Sequence, residues 1–111
     1  MKFNTGKLYQ IKQYYWLIYP TKDIAHSATT QVTATVAAAT AAARYTATYY
    51  SDYWSKHYNC NISYISENNM FCLLEQDEKY LKVITSNGEI CWMIYPTDND
   101  WIKDCIEEVK L

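Results

Sequence analysis

Trp16-Leu17-Ile18-Tyr19-Pro20-Thr21 recurs with one change as Trp92-Met93-Ile94-Tyr95-Pro96-Thr97. Each copy is a run of aromatic and branched residues that favours extended backbone. Each is stopped by Pro-Thr, because proline has no N–H to give a ladder and pushes the residue before it towards extended geometry. Two similar strand ends therefore bracket the chain. Between them the composition changes twice, from strand-like to alanine-rich and back, which predicts a small β structure carrying a helical insertion.

The second half supports the β reading. From Asn61 onward the apolar period is two, as on a half-buried strand. Ile62–Ile65, Met70–Glu75, Tyr80–Ile84 and Glu89–Tyr95 read as successive strands. Asn87-Gly88 is the strongest hairpin signal in the chain, since both residues tolerate positive φ. Leading into and through the first repeat, Leu8–Tyr19 reads as strand, with a turn or bulge at Lys12-Gln13. After the second, Asp98–Lys110 fits either one helix or a short turn and a closing strand. The latter is preferred, because the N-terminal strand otherwise lacks a partner.

The insertion begins after Pro20, with Thr21 or Asp23 as helix cap. Ile24–Ala43 carries no Asp, Glu, Lys or Arg and is dominated by Ala and Thr. It is long enough to suggest a membrane span, but Ala and Thr are weakly apolar and His26, Ser27 and Gln31 interrupt it. A single Ala-rich helix over 22–58 is expected instead, ending at Asn59. At about 1.5 Å per residue it would span about 50 Å, more than a small barrel covers. Ala34, Ala38 and Ala42 then form a small-residue face suited to self-association, as do Ala39, Ala43 and Ala47. Tyr45, Tyr49 and Tyr53 make one aromatic stripe, and Tyr50, Trp54 and Tyr58 a second; both are read as core.

Composition bounds the function. The 111 residues suffice for one domain over 1–111 with one core. Net charge is −2, which argues against strong nucleic-acid binding. The 12 tyrosines suit half-buried strands and interfaces. Cys60, Cys72, Cys91 and Cys105 show no metal-ligand spacing, and Met1–Lys7 has no apolar signal region. Free thiols and a cytoplasmic setting are expected. His26 and His57 would lie more than about 40 Å apart on one straight helix. His57 and Cys60 are close in sequence, but no orienting group follows. The two glycines, Gly6 and Gly88, cannot build a phosphate-cradling loop. No enzyme, cofactor, metal or membrane role is expected.

Residues 61–109 resemble an SH3-like barrel of the bacterial type. The resemblance rests on Met70–Glu75 ("MFCLLE"), Tyr80–Pro96 ("YLKVITSNGEICWMIYP"), a short helical turn, and Ile106–Val109 ("IEEV"). Cys91 stands where that rhythm has glycine, and Tyr80 where it has tryptophan. It implies an α+β chain: a barrel of about five strands from 6–19 and 61–111, with the helical insertion 22–58 between the first and second strands. It also implies a peptide groove lined by Tyr80, Pro96 and Trp101. The whole chain resembles small uncharacterised proteins of T4-like cyanophages, through Tyr53–Ser66, Phe71–Gly88 and Asp104–Lys110. The expected function is a phage-encoded protein-interaction module with an unidentified protein partner, able to form a homo-oligomer in the host cytoplasm. The alternatives are an accessory structural protein of a virion and an Sm-like nucleic-acid binder.

Overall fold

The computed structural model describes residues 3–30, 39–95 and 104–110. β1 (Leu8–Ile11) and β2 (Tyr15–Ile18) come from the single run before Pro20. Tyr14, at φ +69, turns the chain sharply between them and sends the two strands into different sheets. The carbonyl of Cys105 holds this corner by accepting from Lys12 N at 2.7 Å. Helix α1 (Lys22–Thr29) follows, then β3 (Ala41–Ala42) and helix α2 (Arg44–Tyr58). Four further strands precede the C-terminus: β4 (Ser63–Ile65), β5 (Met70–Gln76), β6 (Tyr80–Thr85) and β7 (Ile90–Ile94). The last, β8 (Ile106–Glu108), pairs with β1.

The result is α+β, with two antiparallel sheets. One has the order β7-β6-β5-β1-β8 and the other β3-β2-β4. The described residues thus form eight strands rather than about five, and they do not close into a barrel. The second sheet is joined to the first at one point. Tyr19 of the first hexapeptide bridges Trp92 of the second, exchanging N–H···O bonds of 2.9 and 2.8 Å. The two repeats are spatial neighbours, and Pro20 ends the pairing there.

Alternation explains why the hexapeptides are apolar throughout. Trp16 and Ile18 enter the core between the sheets, alongside Leu73, Val83 and Met93. Leu17 and Tyr19 point the other way, into a second core with Ala25, Ala28 and Trp54 beneath the helices. A strand buried on both faces reads as a continuous hydrophobic run.

The expected single helix over 22–58 does not form. Thr21 Oγ1 accepts from Ile24 N and caps α1. Eight residues later Thr29 and Thr30 turn their hydroxyls onto the carbonyls of His26 and Ser27, at 2.7 and 2.9 Å. Such local bonds compete with helix continuation. Ala41-Ala42 is drawn into extended pairing with Trp16 and Tyr15, and Ala43 is extended at ψ 157. Sheet pairing overrides alanine's helix preference here. α2 has 15 residues, a length of about 22 Å. It ends as expected at Asn59, in the left-handed region at φ 50.

The β6–β7 hairpin forms where Asn87-Gly88 predicts it, but only Gly88 takes positive φ (+85). Gly88 N donates to Thr85 O, and Thr85 N to Glu89 O, so the loop is a three-residue turn with a glycine bulge.

Candidate functional site

Of the small-residue face Ala34, Ala38 and Ala42 expected for self-association, Ala42 alone is among the described residues. Ala42 is on β3 rather than on a helix, which corrects its place in that face. Ala34 and Ala38 lie outside the described residues. In the second set, Ala39 and Ala47 are buried, and Ala43 is the extended residue before α2.

Pro96 and Trp101 lie outside the described residues. Tyr80 is 5% exposed, because α1 lies across the end of β6. Its hydroxyl is 2.8 Å from His26 Nδ1, and burial raises its pKa. Lys22 stands over the rings of Tyr80 and Trp92, 5.6 Å from each centroid, and bonds Asp77 at 2.6 Å. Tyr80 therefore anchors α1 to the sheet and is not an accessible recognition residue. The physical cause is the insertion itself, which brings a covering helix to that position.

The accessible aromatic surface is on α2. Its buried positions are Ala47, Ser51 and Trp54. Residues two positions away from Ala47 and Ser51 point about 200° around the helix, to solvent. Tyr49 and Tyr53 fall there and are 56% and 41% exposed, with Tyr45 85% exposed a turn earlier. Tyr49 and Tyr53 stack at 6.3 Å and 11°, and Tyr53 stacks on His57 at 6.0 Å and 5°. Arg44, Asp52 and Lys56 are exposed beside them.

The two stripes thus separate. Tyr50, Trp54 and Tyr58 pack into the second core as expected. The stripe at Tyr45, Tyr49 and Tyr53, read as core from spacing alone, is surface. Small Ala47 and Ser51 opposite it were the available signal: they let the helix backbone approach the sheet, so the large rings face outward. Tyr50 couples the two stripes, stacking on Trp54 at 4.9 Å and meeting Tyr49 edge-on at 5.2 Å. Trp54 Nε1 is buried with no hydrogen-bond partner among the described residues.

Three of the thiols are shifted away from activation. Burial raises the pKa of Cys60, the opposite of the shift a reactive thiolate needs. Burial, helped by the charge of Glu89, pushes Cys91 up to about 12. Cys105 is raised by burial and by Asp104. All four cysteines are free. His26 and His57 sit on different helices. Among the described residues no three His, Cys, Asp or Glu side chains gather to hold a metal ion, and no helix is long and apolar enough to cross a membrane.

The chain matches no protein-family model, no curated protein and no solved structure.

Proposed function

We propose that the protein is a non-enzymatic protein-interaction module whose recognition face is the outer surface of α2. The observation that carries this reading is the exposed Tyr45/Tyr49/Tyr53 ladder. Tyrosine supplies rigid, amphipathic contact area at low entropic cost, and these three side chains present much of theirs to solvent. Stacking holds Tyr49 and Tyr53 in place before a partner arrives, which lowers the ordering cost of binding.

An SH3-like framework is consistent with the sheet order. β5, β6 and β7 form a meander, β1 lies between β5 and β8, and residues 104–105 are helical just before β8. In that reading β2, α1, β3, α2 and β4 together occupy the first long loop, and α2 rather than the groove at Tyr80 meets the partner. The cyanophage resemblance supports a phage-encoded adaptor working in the host cell.

The test is capture from a host-like lysate with and without nuclease, comparing wild type with the Tyr49→Ala/Tyr53→Ala double variant. Exposed substitutions of this kind change stability by about 0.5 kcal/mol each, so the variant stays folded. A protein retained by wild type after nuclease, and lost from the variant, supports the proposal. Retention by both removes the ladder from the interface. Loss of all partners with nuclease replaces this reading with single-strand binding by stacking.

A further inference from the structure

The outer face of α2 carries two parallel rows. The stacked rings Tyr49, Tyr53 and His57 stand four residues apart, with Tyr45 a turn beyond the stack. Asp52 and Lys56 are also four apart. At about 100° per residue the charged row lies about 60° around the helix from the rings. All five side chains are exposed, and α2 packs on β2, β3 and β4 by its opposite side. Asp52 and Lys56 make no ion pair among the described residues.

Each row has a centre, and the two centres nearly coincide. The stacked rings are centred on Tyr53. The charged row is centred midway between Asp52 and Lys56, one residue further on, which is about 1.5 Å along the axis. Its two ends carry opposite charge. Such a face is complementary to its own reverse. A two-fold axis lying across two antiparallel helices exchanges them and reverses their direction, yet keeps each row on its own side of the contact. Rings then meet rings, with Tyr53 against its own copy and Tyr49 against His57. On the other side Asp52 of each copy meets Lys56 of the other, so the pair forms twice.

We propose that this face binds a second copy of the chain, α2 against α2 in antiparallel register, with reciprocal Asp52–Lys56 pairs fixing that register. The inference rests on the reading of α2 as the recognition face and names its partner. Tyr49 and Tyr53 together expose about one tyrosine's surface, roughly 200 Å². A stable interface takes about 800 Å² from each partner, so the dimer is weak and reversible. The rings supply contact area, and the ion pairs supply selectivity more than affinity.

The experiment is sedimentation equilibrium of the full chain at low salt, with D52K and K56E run alone and as an equimolar mixture. Both positions are exposed, so the variants retain the fold, which an unchanged melting midpoint verifies. Wild type is expected to form a dimer that dissociates in the micromolar range. Each single variant sets like charges together twice and should pair with itself at least about tenfold more weakly. The mixture restores both ion pairs in a heterodimer and should return to within about threefold of wild type. Net charge alone gives a different order, since D52K takes the chain from −2 to neutral and would then self-associate better than wild type. Three results each overturn the proposal: a wild type monomeric up to about 1 mM, single variants that pair as well as wild type, or a mixture that regains nothing. A monomeric wild type whose captured protein is still lost with Tyr49→Ala/Tyr53→Ala overturns self-pairing and leaves α2 as the recognition face for a foreign chain. A monomer that captures nothing through these rings overturns both.

Discussion

Tyr19→Phe tests how the two hexapeptides and the insertion are tied together. Tyr19 is fully buried, and its hydroxyl donates to Ala39 O at 2.6 Å, across 20 residues of chain. Ala39 is itself fully buried, so phenylalanine leaves its carbonyl without this partner. An orphaned buried acceptor costs about 1–3 kcal/mol, and ring packing is unchanged. For 111 residues the unfolding entropy is about 230 cal/mol/K, so each kcal/mol lowers the midpoint by about 4 °C. A loss of about 2 kcal/mol should therefore lower the midpoint by about 8 °C in calorimetry, with a matching shift in urea. Alkali gives a second readout. Burial, reinforced by Tyr58, raises the Tyr19 pKa far above its ordinary 10.0. The folded state keeps this proton while the unfolded state releases it. The stabilising contribution is thus complete below pH 10 and is lost as pH rises towards the folded value. Phenylalanine has no proton to lose. Between pH 10 and 11 the gap between wild type and variant should narrow by about 1 kcal/mol. Tyr9, Tyr80 and Cys91, also raised, are present in both proteins and cancel. A midpoint fall below about 2 °C, or parallel alkaline slopes, would refute the reasoning.

Three further outcomes are expected. Gly88→Ala places a Cβ in open space but at φ +85, so it should cost about 1 kcal/mol from backbone strain alone, seen as a midpoint about 4 °C lower; an unchanged midpoint would show that the turn relaxes freely. Cys91, with its thiol pushed up to about 12, should be alkylated by iodoacetamide at pH 8 more slowly than half-buried Cys72, and peptide mapping that finds it modified first would contradict the burial argument. The hydrogen bond from Lys22 holds the Asp77 carboxyl below its ordinary value, so its stabilising contribution is present above the unfolded value and lost as pH falls through the folded one; Lys22→Gln should raise the Asp77 titration midpoint by NMR, and an unmoved midpoint would dismiss the pair.

Local signals were legible wherever a short stretch settles its own backbone. Thr21 caps α1, Asn59 ends α2, Gly88 bends the hairpin, and the period-two segments become β4 to β7. The preferred closing strand is present as β8, against β1. Ala41-Ala42 misled because alanine's helix propensity is real but weak. A few tenths of a kcal/mol per residue yields to pairing with an open β2 edge. Tyr80 misled for a related reason: its position along β6 was readable, whereas the helix above it was not.

The sequence by itself determined that the segments of period two are strands, that a helix starts after Thr21 and one ends at Asn59, and that the Trp-Tyr-Pro repeats are apolar on both faces. These follow from periodicity and from the backbone limits of Pro, Gly and Asn, which act within a few residues. Only the tertiary structure decided that the repeats meet at Tyr19 and Trp92, and that Tyr80 is covered while Tyr45, Tyr49 and Tyr53 are not. The physical reason is that a helical stripe or a strand edge has no inside or outside of its own. Burial is fixed by what packs against it, and those contacts join residues tens of positions apart.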